Sequence, residues 1–156
     1  MRQIFSLAPA DVSPVWILWV TIPLVLVFLL IHVWFARQAE RATVTVTEQA
    51  ISVTGALYGR TIPLGEIRTG EARAVSIADG PYRLTWRANG AAFPGYRSGW
   101  FRTRGAGKML VFITDPSRVV HVPTTRPYGL LLSPADPEGF LGALRNAAES
   151  RATARP

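Results

Sequence analysis

Two histidines, an Asp–Glu pair and a cluster of arginines set among aromatic rings are the groups in this 156-residue chain that could do chemistry. His121 stands between Val120 and Val122 in a stretch that reads as a strand, which puts it on the opposite face from both. If those valines face a core, His121 faces solvent, where its role is structural or none. His32 lies inside a long apolar run and reads as an interfacial or packing residue. No second histidine follows at metal-ligand spacing. There is no Gly-x-Ser-x-Gly elbow, no GxxxxGK[ST] loop and no GxGxxG fingerprint. The absence of cysteine excludes thiolate chemistry, disulfides and cysteine-bound zinc. Asp136 and Glu138 are better explained by a helix start than by paired acid–base work. No catalytic, metal-ligating or cofactor-binding residue is assigned, and the chain reads as a protein that is not an enzyme and carries no cofactor.

The arginine–aromatic cluster is the remaining candidate. NGAAFPGYRSGWFRTRG, residues 89–105, sets Phe93, Tyr96, Trp100 and Phe101 among Arg97, Arg102 and Arg104. Its glycines and proline read as a loop, with Asn89-Gly90 and Pro94-Gly95 as turn signals and Gly99 as a further backbone-defining position. Phe93 and one of the adjacent pair Trp100 and Phe101 are expected to pack against the domain, leaving the other ring exposed. The candidate interaction surface is Arg97, Trp100, Arg102, Arg104 and Tyr96. The structural motif is Asn89, Gly90, Pro94, Gly95 and Gly99, with Ser133, Pro134 and Asp136 further on. The competing reading is a solvated arginine face around a structural loop. Single-stranded nucleic acid also uses arginines with aromatics, but the apolar run described next and the lack of any nucleic-acid motif set it aside.

Several elements must position these residues. Val15 to Phe35 reads VWILWVTIPLVLVFLLIHVWF, without a charged side chain. At about 1.5 Å per residue it reaches roughly the 30 Å hydrocarbon thickness. Trp16, Trp19 and Trp34 stand near its two ends, as interfacial rings do. Only 17% of the chain is charged against 49% hydrophobic, a balance that fits a membrane segment. A cleaved signal peptide and a buried core helix are the rivals. The run is long for the first, and the chain is small to surround the second. The expected organisation is an N-terminal extramembrane segment 1–14, a transmembrane helix 15–36, a juxtamembrane linker 37–42, a domain 43–149 and a disordered tail 150–156. Arg37 and Arg41 after the span outnumber Arg2 before it, so the positive-inside rule puts the C-terminal domain in the cytoplasm of a single-pass protein of the cell membrane.

Beyond residue 42 the pattern changes to period two. Thr43 to Thr47, Ile51 to Thr54, Thr61 to Leu64, Glu71 to Ile77 and Tyr82 to Arg87 read as short strands. Lys108 to Thr114 is a continuous apolar run. Asp115-Pro116-Ser117 is a turn leading into Arg118 to Pro123 as the second arm of a hairpin, and Tyr128 to Leu132 is the last strand. In SPADPEGFLGAL, Ser133 is expected to cap a C-terminal helix with Pro134 at its first position, and Asp136 and Glu138 complement the dipole. About seven antiparallel strands closed by one helix fit either a small barrel or a sandwich.

The segments LYGRTIPLGEI at 57–67, NGAAFPGYRSGWFR at 89–102, KMLVFITDPSRVVHVP at 108–123 and LLLSPADPEGFLGAL at 130–144 resemble the bacterial PH (pleckstrin homology-like) domain family, whose members often follow transmembrane helices. The resemblance implies a mainly-β PH-like split barrel of about seven antiparallel strands, capped by a C-terminal α-helix. It implies no activity, since PH-like folds serve as lipid binders, peptide binders and assembly modules. The region TVTVTEQAISVTGALYGR lacks the Lys-x-Arg pattern of phosphoinositide binders, so no ligand residue carries over. The expected partners are the membrane itself and a protein partner or second copy of the chain. Anionic lipid, bound through loop 93–104, is the alternative.

Overall fold

The computed structural model describes residues 15–55 and 58–153. The expected N-terminal segment 1–14 and the last three residues of the expected tail lie outside them. Two compact units result, the first ending at Phe35 and the second beginning at Ala36.

The first unit is the apolar part of helix α1, Val15–Arg41. Its Val15–Trp34 run of 20 residues is long and apolar enough to cross a membrane, and none of it is buried. The Thr21 hydroxyl donates to the Ile17 carbonyl at 2.8 Å, so this polar group is satisfied within the helix. Pro23 also lies inside it. The helix continues through the stretch expected as a linker, because ARQAER contains no Gly or Pro to stop it.

The second unit opens with an antiparallel meander of β1 (Thr43–Val46), β2 (Ala50–Thr54) and β3 (Thr61–Pro63). Alternation sets its two faces. Val44, Val46, Ile51, Val53 and Ile62 turn inward. Threonine and serine hydroxyls pair outside, Thr43 with Thr54 at 2.9 Å and Ser52 with Thr61 at 2.8 Å, as cross-strand neighbours do. Two short 3-10 turns, Leu64–Glu66 and Thr69–Glu71, lead to β4 (Arg73–Ala74). Then come β5 (Leu84–Phe93), β6 (Tyr96–Thr103), β7 (Lys108–Ile113), β8 (Val120–Val122), β9 (Gly129–Leu132) and helix α2 (Pro137–Thr153). β4 to β9 form a second sheet in the order β4-β8-β9-β7-β6-β5. The two sheets remain separate ladders, giving the open PH-like split barrel with its C-terminal helix. The described strands number nine, and β7 and β9 run parallel where all were expected antiparallel.

That parallel pair corrects the expected hairpin between 108 and 123. The turn forms: the Asp115 carboxylate accepts from the Ser117 amide at 2.9 Å and meets Arg118 at 3.3 Å. Its arms then part and β9 enters between them, antiparallel to β8. All four residues of β9 are buried, so it has no polar face to show and takes an interior place in the sheet.

The interior strands β7 and β9 of this sheet are covered on both sides, which explains the unbroken apolar run in β7. Leu110, Phe112, Leu130 and Leu132 join a core with the meander and with Phe140, Leu144 and Ala147 of α2. Met109, Val111, Ile113 and Leu131 join a second core beneath Ile77 and Tyr82.

α2 begins one turn later than expected. Its cap is Asp136, whose carboxylate accepts from the Gly139 amide at 3.0 Å, and Pro137 is the first helical residue, the order that capping favours. Ser133 instead accepts from the Thr114 amide at 2.8 Å and the Asp115 amide at 3.3 Å, fixing the end of β7 against the end of β9. SPADPE carries the cap-proline signature twice, and burial of β9 up to Leu132 assigns the first copy to the strand end. α2 runs to Thr153, into the stretch expected as a disordered tail.

Candidate functional site

The stretch 89–105 is not a loop but most of an antiparallel hairpin. Pro94 and Gly95 form its two-residue connection between the Phe93–Tyr96 pair, with Gly95 at φ +76°, as the turn demands. Asn89-Gly90 is no turn: both lie within β5, opposite Trp100 and Gly99. Two register shifts, between Leu84 and Trp86 and between Arg87 and Asn89, bend β5 and re-aim its side chains.

Alternation along β6 separates the residues of the expected surface. Tyr96, Ser98, Trp100 and Arg102 share one face; Arg97, Gly99, Phe101 and Thr103 share the other. Phe101 is buried in the second core, Phe93 is half-buried, and Tyr96, expected in contact with a partner, is buried. Trp100 is half-buried and is a joint rather than a free contact. The Lys108 ammonium lies 4.4 Å from its ring centre and the Arg60 guanidinium 5.5 Å, while Tyr128 meets it edge-on at 4.8 Å. Such cation and edge contacts are favourable on an aromatic ring. Nearby, the Tyr58 hydroxyl donates to Asn89 Oδ1 at 2.8 Å. Tyr58 and Arg60 come from the β2–β3 connection, so these contacts tie one sheet to the other. Arg126 extends the cluster by donating to the Tyr128 hydroxyl at 3.3 Å and pairing with Glu66. That pairing holds the Glu66 carboxyl below its ordinary range and keeps Arg126 cationic.

Arg102 and Arg104 are exposed. Arg97 stands apart from them on the opposite face and joins Arg83 and Arg87 around a cleft of about 340 Å³ walled by Ile77, Leu84 and Phe101. Trp86, 68% exposed, contributes to the lining. From Gly80 to Thr114 the chain has six basic residues and no acidic one. The charge run announced Arg83 and Arg87, but their convergence with Arg97 depends on the bulged register.

His121 does not face solvent, because the sheet has a second covered side. It is half-buried against Tyr82, whose hydroxyl lies 3.1 Å from its Nδ1 and accepts from Arg73 at 3.1 Å. Burial first, then the Arg73 charge, lowers its pKa. Among the described residues no cluster of metal-ligating side chains occurs.

The bacterial PH domain family matches residues 42–148 of the chain. The chain belongs to that family. No curated protein and no solved structure matches it. The match covers the meander, the second sheet and most of α2, so the hairpin and the arginine cleft belong to the bacterial PH domain itself.

Proposed function

We propose that this bacterial PH protein is a non-catalytic interaction module of the cell membrane, held by α1 as a single span with its domain in the cytoplasm. The observation that carries the reading is the 20-residue apolar run of α1, none of it buried, joined to a PH-family domain. The reading assigns 15–36 to the span and 43–149 to the module. His121 and Asp136, the side chains best suited to acid–base work, hold Tyr82 and the α2 N-terminus, which favours a scaffold over an enzyme. Its work is then to gather a protein partner or a second copy at the membrane. Alkaline carbonate extraction should leave the full-length protein in the membrane pellet, and light scattering of the detergent-solubilised protein should give a mass above one chain. Release into the supernatant overturns the anchor; a lone monomer with no co-purifying protein overturns the scaffold. A reporter at the C-terminus tests the cytoplasmic side.

The acid-free basic hairpin favours a second reading, contact with an anionic lipid surface. Near such a surface each basic group contributes about 1 kcal/mol, screened by salt. Expected is tighter apposition of the domain to nanodiscs containing phosphatidylglycerol than to pure phosphatidylcholine discs, read by cross-linking to headgroups. Equal apposition in both overturns it.

A further inference from the structure

We infer that the cleft on the Phe101 face of the β5–β6 hairpin is a binding site for a phosphate-bearing anion, held by Arg83, Arg87 and Arg97. The inference rests on the anionic-surface reading and narrows it from a basic hairpin to one cleft.

Its geometry follows from the register. Arg87 faces Phe101 across the ladder and Ala92 faces Arg97, with the Gly90–Gly99 pair between them on the same face. The two glycines put no side chain into the space separating the arginines. Arg83 is fixed by its backbone: its carbonyl accepts from the Arg104 amide at 2.9 Å, where the end of β6 meets the start of β5. Ile77, Leu84 and Phe101 give the cleft an apolar wall, and Ile77 and Phe101 are themselves buried in the second core. A volume of about 340 Å³ suits a small polar headgroup.

The charge balance selects the ligand. Among the described residues no acidic side chain lines the cleft. The ion pairs among them involve Arg68, Arg118 and Arg126 and leave these three arginines out. Guanidinium groups present planar donor forks that match phosphate oxygens two at a time. Three of them beside an apolar wall outweigh what a single carboxylate offers, which favours phosphate over an acidic side chain. The phosphate could belong to a lipid headgroup or be free in solution.

The test uses the full-length protein in a neutral maltoside micelle, titrated calorimetrically with inorganic phosphate, with short-chain phosphatidic acid and with a polyglutamate peptide. Saturable binding of a phosphate probe is expected. It should weaken at least about tenfold in the Arg87→Ala/Arg97→Ala protein and less than about twofold in the Arg102→Ala/Arg104→Ala protein. Arg87→Lys/Arg97→Lys keeps the charge and loses the fork, so an intermediate loss is expected even if the alanine protein folds poorly. Phosphatidic acid binding at least about tenfold tighter than phosphate identifies a lipid headgroup, and equal affinities identify a free phosphate. Equal weakening by the two alanine pairs overturns the cleft and leaves the basic-hairpin reading standing. Tighter binding of polyglutamate overturns the cleft in favour of an acidic protein segment. If no probe binds, cleft and anionic-surface reading fail together.

Discussion

Gly90 and Gly99 pair across the β5–β6 ladder with no room for a side chain on either. A Cβ on Gly99 would stand 2.4 Å from the Asn89 carbonyl oxygen and 2.5 Å from Gly90 Cα; one on Gly90 would stand 2.3 Å from the Ser98 carbonyl oxygen. The obstacles are backbone, which cannot swing aside. Both residues also hold positive φ, +154° and +121°, which glycine tolerates best. Gly99→Ala should therefore cost about 3 kcal/mol, read as a lower midpoint in thermal unfolding of the detergent-solubilised protein. A loss under about 0.5 kcal/mol, the range of an ordinary surface change, would mean that the strands do not approach this closely.

The domain's two tryptophans should behave in opposite ways. Trp100 joins the sheets through Lys108, Arg60 and Tyr128, whereas Trp86 is 68% exposed. Trp100→Ala should destabilise by about 2–3 kcal/mol, and Trp86→Ala by no more than about 0.5 kcal/mol. Equal effects in the same unfolding experiment would reject the assignment of Trp100 as the joint.

The start of α2 separates two residues with similar side-chain chemistry. Asp136→Ala removes the acceptor for the Gly139 amide and should cost about 1 kcal/mol, with faster hydrogen exchange at that amide. Ser133→Ala should cost a similar amount, about 1 kcal/mol, but speed exchange at Thr114 and Asp115, the amides its hydroxyl accepts from. Faster exchange at Gly139 in the Ser133 variant would restore Ser133 as the cap.

These cases show what could be read in advance. The class of the fold was legible because each element carries a local signal: alternation in β1 and β2, an unbroken apolar run in β7, a proline-led helix at the end. Partner choice was not local. β9 displaces β8 from β7 because it is the more buried strand, a competition between segments that neither reveals alone. The hairpin looked like a loop because four glycines and a proline usually punctuate. Here Gly90 and Gly99 serve a close strand approach, and only Pro94-Gly95 turns. The arginines were visible as charge; bulges in β5 decided which of them meet.

The second covered face of the sheet gives His121 a pH dependence that an exposed histidine would lack. The Tyr82 hydroxyl can donate to Nδ1 of a neutral ring while accepting from Arg73; a protonated ring would compete for that same oxygen. Burial and the Arg73 charge both lower its pKa, so the folded state holds the neutral ring more strongly than the unfolded state does. Between the folded pKa and the ordinary value of about 6.5 the unfolded chain binds more protons. This contribution to stability is whole above about pH 6.5 and is lost as pH falls through the folded pKa. In a His32→Gln background, where His121 is the one imidazole left, its NMR titration should centre below about 6.5. Arg73→Ala should raise that midpoint, and His121→Asn should flatten the acid limb of the stability profile. A midpoint above the ordinary value, or stability that declines as pH rises through it, would show that His121 is held as the cation and that Tyr82 is not its donor.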